Sequence, residues 1–137
     1  MTLNDAKSGL SLLSTRRSVP LKALGEPGPS PEQLDQILRI AVRVPDHGKL
    51  QPWRFILFEG EARARFGDRL AQRFLENHPD QTPDSADFWG KFFLRAPVVM
   101  ALISRAAPHP KIPEWEQQLS AGAVGMNILL AASALGV

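Results

Sequence analysis

The pattern of apolar and polar positions predicts five helices and two strands. Apolar residues recur at helical spacing near residues 4–15, 31–44, 61–77, 88–93 and 114–135. Largely apolar runs predict strands at residues 53–59 and 97–104. Because the pattern is mostly helical and the two strands lie far apart in sequence, it favours an α+β fold.

Local signals place one helix start and one helix end. Ser30, Pro31 and Gln33 are typical of a helix start, with Ser as the N-cap, Pro at the first helical position and Gln completing a capping box. Pro45 is expected to end this helix, because proline disfavours helical backbone at the residue before it. Residues 78–87 are polar and contain proline, and we expect a mobile loop there.

Two helices carry expectations about burial. In the first helix, Leu10 and Leu13 are expected on the inner side. The last helix is apolar on nearly all sides, and Lys, Arg, Asp and Glu are absent from residues 117–137. That length could span a bilayer, but five polar residues interrupt it, namely Gln117, Gln118, Ser120, Asn127 and Ser133. We therefore predict a buried helix, which in so short a chain needs the cover of a second subunit.

Composition limits the function classes. The length of 137 residues suits one domain, and the absence of Cys excludes disulfides, thiolate chemistry and Cys-based metal sites. Residues 1–73 hold 12 Lys and Arg against 8 Asp and Glu, a surplus that suits a small anion such as phosphate. No basic run argues for nucleic acid. Charged residues near the N-terminus do not match a secretory signal, so we expect a cytoplasmic protein.

Two segments are candidates for binding. Residues 43–53 (RVPDHGKLQPW) contain two cations, a His, a carboxylate, a Gln and an indole between two stiffening prolines. This is either a binding loop or an ordinary helix-to-strand connection. Arg16, Arg17 and Ser18 follow the first helix, where they could hold a phosphate or cap the helix end. The sequence shows no metal-ligand spacing and no nucleophile with its base, so any chemistry is expected to belong to a bound cofactor.

Taken together, these motifs resemble a known family. Arg-Arg-Ser after the first helix, Arg-x-Pro-Asp-His, Gln-Pro-Trp before a strand and the late segment SAGAVGMN occur in this order along nearly the whole chain. The chain thereby resembles the FMN-dependent nitroreductase family, in particular its short, single-domain bacterial branch. The resemblance implies an intertwined homodimer whose α+β subunits have a central mixed or antiparallel sheet flanked by helices.

The resemblance also implies a site. FMN would be contacted by Arg16, Arg17, Ser18, Arg43, His47 and Gln51. Residues 121–126 match a segment associated with nicotinamide cofactor binding, which comprises Ala121, Gly122, Ala123, Val124, Gly125 and Met126. Catalysis would take place at N5 of the flavin and not on a side chain, with no metal. NAD(P)H would supply electrons for nitro compounds, quinones or similar small-molecule acceptors, and no nucleic acid or membrane would be involved.

The sequence departs from the family pattern in two places. Many relatives carry another Arg or Lys soon after Arg-Arg-Ser, whereas Val19, Pro20 and Leu21 stand here and Lys22 comes later. Relatives also continue beyond the position of Val137, so residues 1–137 are expected to be one nitroreductase-like domain that lacks its C-terminal part. The alternatives are a non-catalytic flavin-binding or dimerisation fragment of this fold and, less favoured, a nucleic-acid-binding module.

Overall fold

The computed structural model describes residues 3–137, which form five α-helices and two β-strands. In chain order the elements are α1 (Gly9–Thr15), α2 (Pro31–Ala41), β1 (Trp53–Glu59), α3 (Glu61–Asn77), α4 (Pro83–Phe92), β2 (Val98–Ser104) and α5 (Glu114–Leu135). Short 3₁₀ turns lie at Leu21–Ala23, His47–Lys49 and Phe93–Arg95. These elements divide into two compact units, one made of residues 3–18, 29–56 and 101–137 and the other of residues 19–28 and 57–100.

The two strands pair as an antiparallel sheet, because the start of β1 meets the end of β2. Beyond the strand ends, the Arg105 N–H donates to the Pro52 carbonyl over 2.8 Å. β1 has the predicted bounds, and β2 begins one residue later than predicted, after Pro97. Helices together with a small antiparallel sheet confirm the α+β prediction.

Helix α2 begins as its sequence predicts. The Ser30 hydroxyl accepts from the Gln33 N–H over 3.2 Å, and the Gln33 amide oxygen accepts from the Ser30 N–H over 2.8 Å. Leu34, Ile37 and Ala41 are buried, and α2 packs against α5 in the first unit. The last helical residue is Ala41, so the helix ends three residues before the predicted last position, residue 44.

Helix α1 begins later than predicted. Ser8 is its N-cap and accepts from the Ser11 N–H over 3.0 Å, so the helix starts at Gly9 and not near residue 4. The inward side carries Leu12 and Thr15. Leu10 is 82% exposed and Leu13 is 63% exposed, so their predicted inner position was wrong. In the short helix they lie on the side away from the buried residues Leu12 and Thr15.

The second unit is built on α3 and α4, which pack against each other. The two helices approach closely at Gly67, which is buried and where a side chain would collide with the carbonyl of Gly90. The rings of Phe58, Phe66 and Phe93 form a cluster with centroids 4.5–5.0 Å apart. Residues 83–87 form the first half of α4, so the predicted loop is confined to residues 78–82.

Helix α5 has the predicted bounds but is only partly buried within the chain. Ala121, Val124 and Ala131 lie in the core. The opposite side is an exposed apolar stripe, which we call the α5 stripe and which consists of Trp115, Leu119, Met126 and Leu129 at 44–65% exposure. By length and composition α5 could also cross a membrane, a property that core helices of soluble proteins share. Cover by a second subunit stays a prediction.

Candidate functional site

The loop between α2 and β1 is tightly folded and strained. Its backbone is closed by Asp46, whose carboxylate accepts from the Gln51 N–H over 2.8 Å and whose carbonyl accepts from the Lys49 N–H over 3.1 Å. Gly48 has φ +72°, and Lys49 and Gln51 have φ +54° and +49°. Residues other than glycine rarely adopt this left-handed backbone conformation, and such strain concentrates at functional sites. This strain makes the segment the first candidate for a functional site in the chain.

Contacts with the start of α5 brace this loop. A side chain at Gly48 would come within 2.5 Å of the Cδ1 atom of buried Ile112, so loop and segment 105–113 touch closely. Segment 105–113 is held in turn by Gln117, which is 4% exposed. The Gln117 amide oxygen accepts from the Ala107 N–H over 3.1 Å, and its nitrogen donates to the carbonyls of Ala107 and Ile112 over 2.8 and 3.2 Å. The buried amide is fully used, as buried polar groups require.

His47 lies in this loop and meets α5. Its Nδ1 is 2.8 Å from Oε2 of Glu116, which lies in the first turn of that helix. Both side chains line a cavity of about 350 Å³, whose walls are Pro45, His47, Glu116, Leu119, Ser120 and Ala123. We call it the His47 cavity. The cavity brings His47 together with Ala123. One residue of the segment predicted to contact FMN and one of the segment predicted to contact the nicotinamide cofactor therefore line the same cavity.

A second cavity is lined by other residues of the same loop. Its volume is about 440 Å³, and it is lined by Val42, Arg43, Val44, Asp46, Lys49, Gln51 and Trp53. We call it the Arg43 cavity. The Asn127 side chain on α5 donates to the carbonyls of Ile40 and Arg43 over 3.2 and 3.1 Å, which fixes the backbone at Arg43. Two cations, Arg43 and Lys49, line this concave surface against one carboxylate, Asp46, so the surface has a positive surplus that suits an anion.

The Arg-Arg-Ser motif belongs to the same unit but lines neither cavity. Arg16 caps α1, and its backbone N–H donates to the Leu12 carbonyl over 2.8 Å. The Arg17 N–H donates to the Asn4 side chain over 2.7 Å. Arg16 is half-buried, whereas Arg17 and Ser18 are exposed. Only the backbone N–H of Arg16 takes part in the cap, so the guanidinium is not needed to end the helix.

The small-residue segment 121–126 has two faces. Ala121 and Val124 belong to the core, with 5% and 0% exposure, and Gly125 packs close to Leu102 of β2. Gly122 and Met126 are exposed, and Ala123 lines the His47 cavity. A ligand of this chain could therefore reach Gly122, Ala123 and Met126 directly, while the buried members shape the helix beneath it.

Sequence reasoning missed the two polar residues that α5 contributes to the His47 cavity, Glu116 and Ser120. Glu116 lies two turns before Ala123 and Ser120 lies one turn before it, so the three share one face of α5. A carboxylate at the third position of a predicted helix, followed by Ser four residues later and small residues beyond, was the available signal.

Comparison with known proteins decides the family. A sequence model of the family described as "Nitroreductase family" matches residues 13–137. The chain belongs to the nitroreductase family. It is 39% identical over 127 residues to the Escherichia coli (strain K12) protein named "Putative NAD(P)H nitroreductase YdjA". It is 38% identical over 128 residues to the Haemophilus influenzae protein named "Putative NAD(P)H nitroreductase". Each alignment covers 93% of this chain and 67% of the relative.

A solved structure supports the nitroreductase fold. The crystal structure of the nitroreductase-like family protein from Bacillus cereus superimposes with a TM-score of 0.71 at 23% identity. The match covers 92% of this chain but 64% of that chain, so this chain spans just under two thirds of the length of that structure. The predictions of family, of an α+β nitroreductase-like fold and of an oxidoreductase family are confirmed.

Proposed function

We propose that this protein is a soluble, cytoplasmic FMN-dependent oxidoreductase that uses NAD(P)H to reduce nitro compounds, quinones or similar acceptors. The observation that carries the proposal is the strained polar loop of residues 46–51, which places His47 beside Ala123 of the small-residue segment, in a chain of the nitroreductase family. The names of the relatives, which mention NAD(P)H, support the choice of reductant.

The donor set around the loop suits FMN. Arg43 and Lys49 in the Arg43 cavity are cations of the kind that bind a phosphate. Arg16 and Arg17 line neither cavity, and they are included because the family resemblance assigns them to FMN. His47, Gln51 and Ser18 offer polar groups for a sugar-like chain and a ring edge. Gly122 and Ala123 add little bulk, so a flat ring could approach α5 closely. When bound, FMN would supply the electron transfer between NAD(P)H and the acceptor.

The residues of this chain would contribute position and charge. Positive groups stabilise negative charge on a bound ligand, and they do so more strongly once the ligand has displaced water from around them. The braced loop would hold those groups in place before the ligand arrives, which lowers the entropic cost of binding. Pro45 and Leu119 would exclude water from the His47 cavity.

A spectrum and a titration test this proposal. The purified 137-residue protein, mixed with FMN and desalted, is expected to show flavin absorbance, and to oxidise NADH or NADPH when a quinone such as menadione is present. FMN binding without NAD(P)H oxidation would favour the alternative, a non-catalytic flavin-binding fragment. No FMN binding at micromolar concentrations would refute both.

We also propose a homodimer that covers the α5 stripe. Four exposed large apolar side chains on one helix face form a surface larger than scattered exposed residues would give. Light scattering is expected to give twice the chain mass of 15.1 kDa. Leu129→Glu should produce monomers, because it buries a charge at the interface.

A matched variant separates this effect from general damage. Leu94 is 47% exposed, close to the 48% of Leu129, but lies in the second unit. Leu94→Glu is expected to leave the dimer intact. A wild-type monomer at micromolar concentration, or equal loss of the dimer in both variants, would contradict the assignment of the stripe.

A further inference from the structure

A hydrogen bond between the side chains of His47 and Glu116 joins two parts of the chain that are 69 residues apart in sequence. Glu116 is the better covered partner, with 31% of its side chain exposed against 63% for His47. Its carboxylate lies in the first turn of α5, where the helix dipole interacts favourably with negative charge. Glu116 is therefore a fixed, negatively charged acceptor toward which the imidazole turns.

This contact assigns the two ring nitrogens of His47. An ionised carboxylate only accepts hydrogen bonds, so Nδ1 must carry the hydrogen that lies between them. In the neutral ring, Nε2 then has a lone pair and acts as an acceptor. Among residues 3–137, Nε2 has no hydrogen-bond partner, and the ring lines the His47 cavity.

The pair is not needed to hold the loop itself. Asp46 closes the loop by two hydrogen bonds, Gly48 packs against Ile112, and Gln117 holds the Ile112 segment. The backbone of His47 is thus braced on both sides without Glu116. What Glu116 adds is the orientation and the tautomer of one exposed ring.

We propose that Glu116 is a positioning residue that presents Nε2 of His47 to the cavity as a hydrogen-bond acceptor. The matching ligand group is a hydroxyl that donates. This inference rests on the proposed function, in which the donor would be a hydroxyl of the ribityl chain of FMN. A phosphate, which accepts hydrogen bonds, is the wrong partner for the neutral ring in this tautomer.

Side-chain nitrogen NMR of the full 137-residue chain without FMN tests the assignment directly. At a pH where the ring is neutral, wild-type His47 is expected to show hydrogen on Nδ1, and Glu116→Ala should lose that preference. Glu116→Gln keeps an amide oxygen as acceptor and should retain it. The signal is identified by its loss in His47→Ala. A wild-type ring protonated only on Nε2 would overturn the inference.

FMN titration by flavin fluorescence tests the consequence. Glu116→Ala is expected to weaken FMN about 3- to 10-fold, the effect of one hydrogen bond, and Glu116→Gln should recover most of the affinity. Glu114→Ala is the matched control, since it removes the same charge from the same helix turn. In a double-mutant cycle, Glu116→Ala should have no further effect once His47 is alanine.

Three results separate the positioning role of Glu116 from the proposed FMN-dependent function. Unchanged affinity in Glu116→Ala, or fully additive effects in the cycle, would overturn the inference and leave the proposed function standing. Wild-type protein that fails to bind FMN would overturn the proposed function and the flavin role of Glu116 together, whatever the NMR shows about the ring.

Discussion

Gly67→Ala is expected to destabilise the protein by about 1–3 kcal/mol, and by more if the helices cannot separate. A methyl group at this buried position would overlap the carbonyl oxygen of Gly90 and come within 3.0 Å of its carbonyl carbon. Both atoms belong to the backbone of α4, so no side chain can rotate away. An alanine normally favours a helix over glycine by about 1 kcal/mol, and the overlap must outweigh this gain.

Gly90→Ala is the matched control on the other helix. Its methyl group would meet only the Cβ of Ala71, at an ordinary 3.7 Å. It is therefore expected to be neutral or slightly stabilising. Urea unfolding followed by circular dichroism measures both variants. If Gly67→Ala is as stable as the wild type, α3 and α4 do not approach as closely as described.

The second large effect concerns Arg16. Under the proposed function, Arg16→Ala is expected to weaken FMN about tenfold or more, since a charge-assisted bond to phosphate contributes about 1.5–3 kcal/mol. Its side chain makes no ion pair within residues 3–137, and only its backbone caps α1. Folding should therefore be almost unaffected. Flavin fluorescence titration and thermal unfolding measure the two quantities separately.

Arg69→Ala controls for the loss of one positive charge. Arg69 is exposed on α3 in the second unit and also forms no ion pair within the described residues. Its FMN affinity should equal that of the wild type. If Arg16→Ala instead lowers the melting temperature and leaves the affinity unchanged, the guanidinium stabilises the helix end and is not part of the site.

Local signals explain which elements could be predicted. The capping box at Ser30 and the apolar periodicities of α3 and α5 depend only on residues close together in sequence. Helices α2, α3 and α5 accordingly begin where the sequence predicts. The start of α4 carried a similar signal, Thr82 followed by Pro83, and the Thr82 hydroxyl does cap the helix. The polar composition around it concealed that signal.

Long-range contacts explain what could not be predicted. Whether Leu10 or Leu12 points inward depends on where α1 starts and on which side α5 meets it. The pairing of His47 with Glu116 depends on the tertiary structure, which a single sequence does not reveal. The candidate loop could be found from its residues, whereas its strain and its partner on α5 required the structure.

Three polar side chains of α5, Glu116, Gln117 and Asn127, fix the rotation of this helix about its axis. Each engages a different segment, namely the His47 loop, the residues 107–112 and the end of α2. A rotation of the helix by one residue would disengage all three at once. Under the proposed function, variants meant to change the choice of acceptor should therefore alter exposed positions of the loop and leave these three side chains of α5 unchanged.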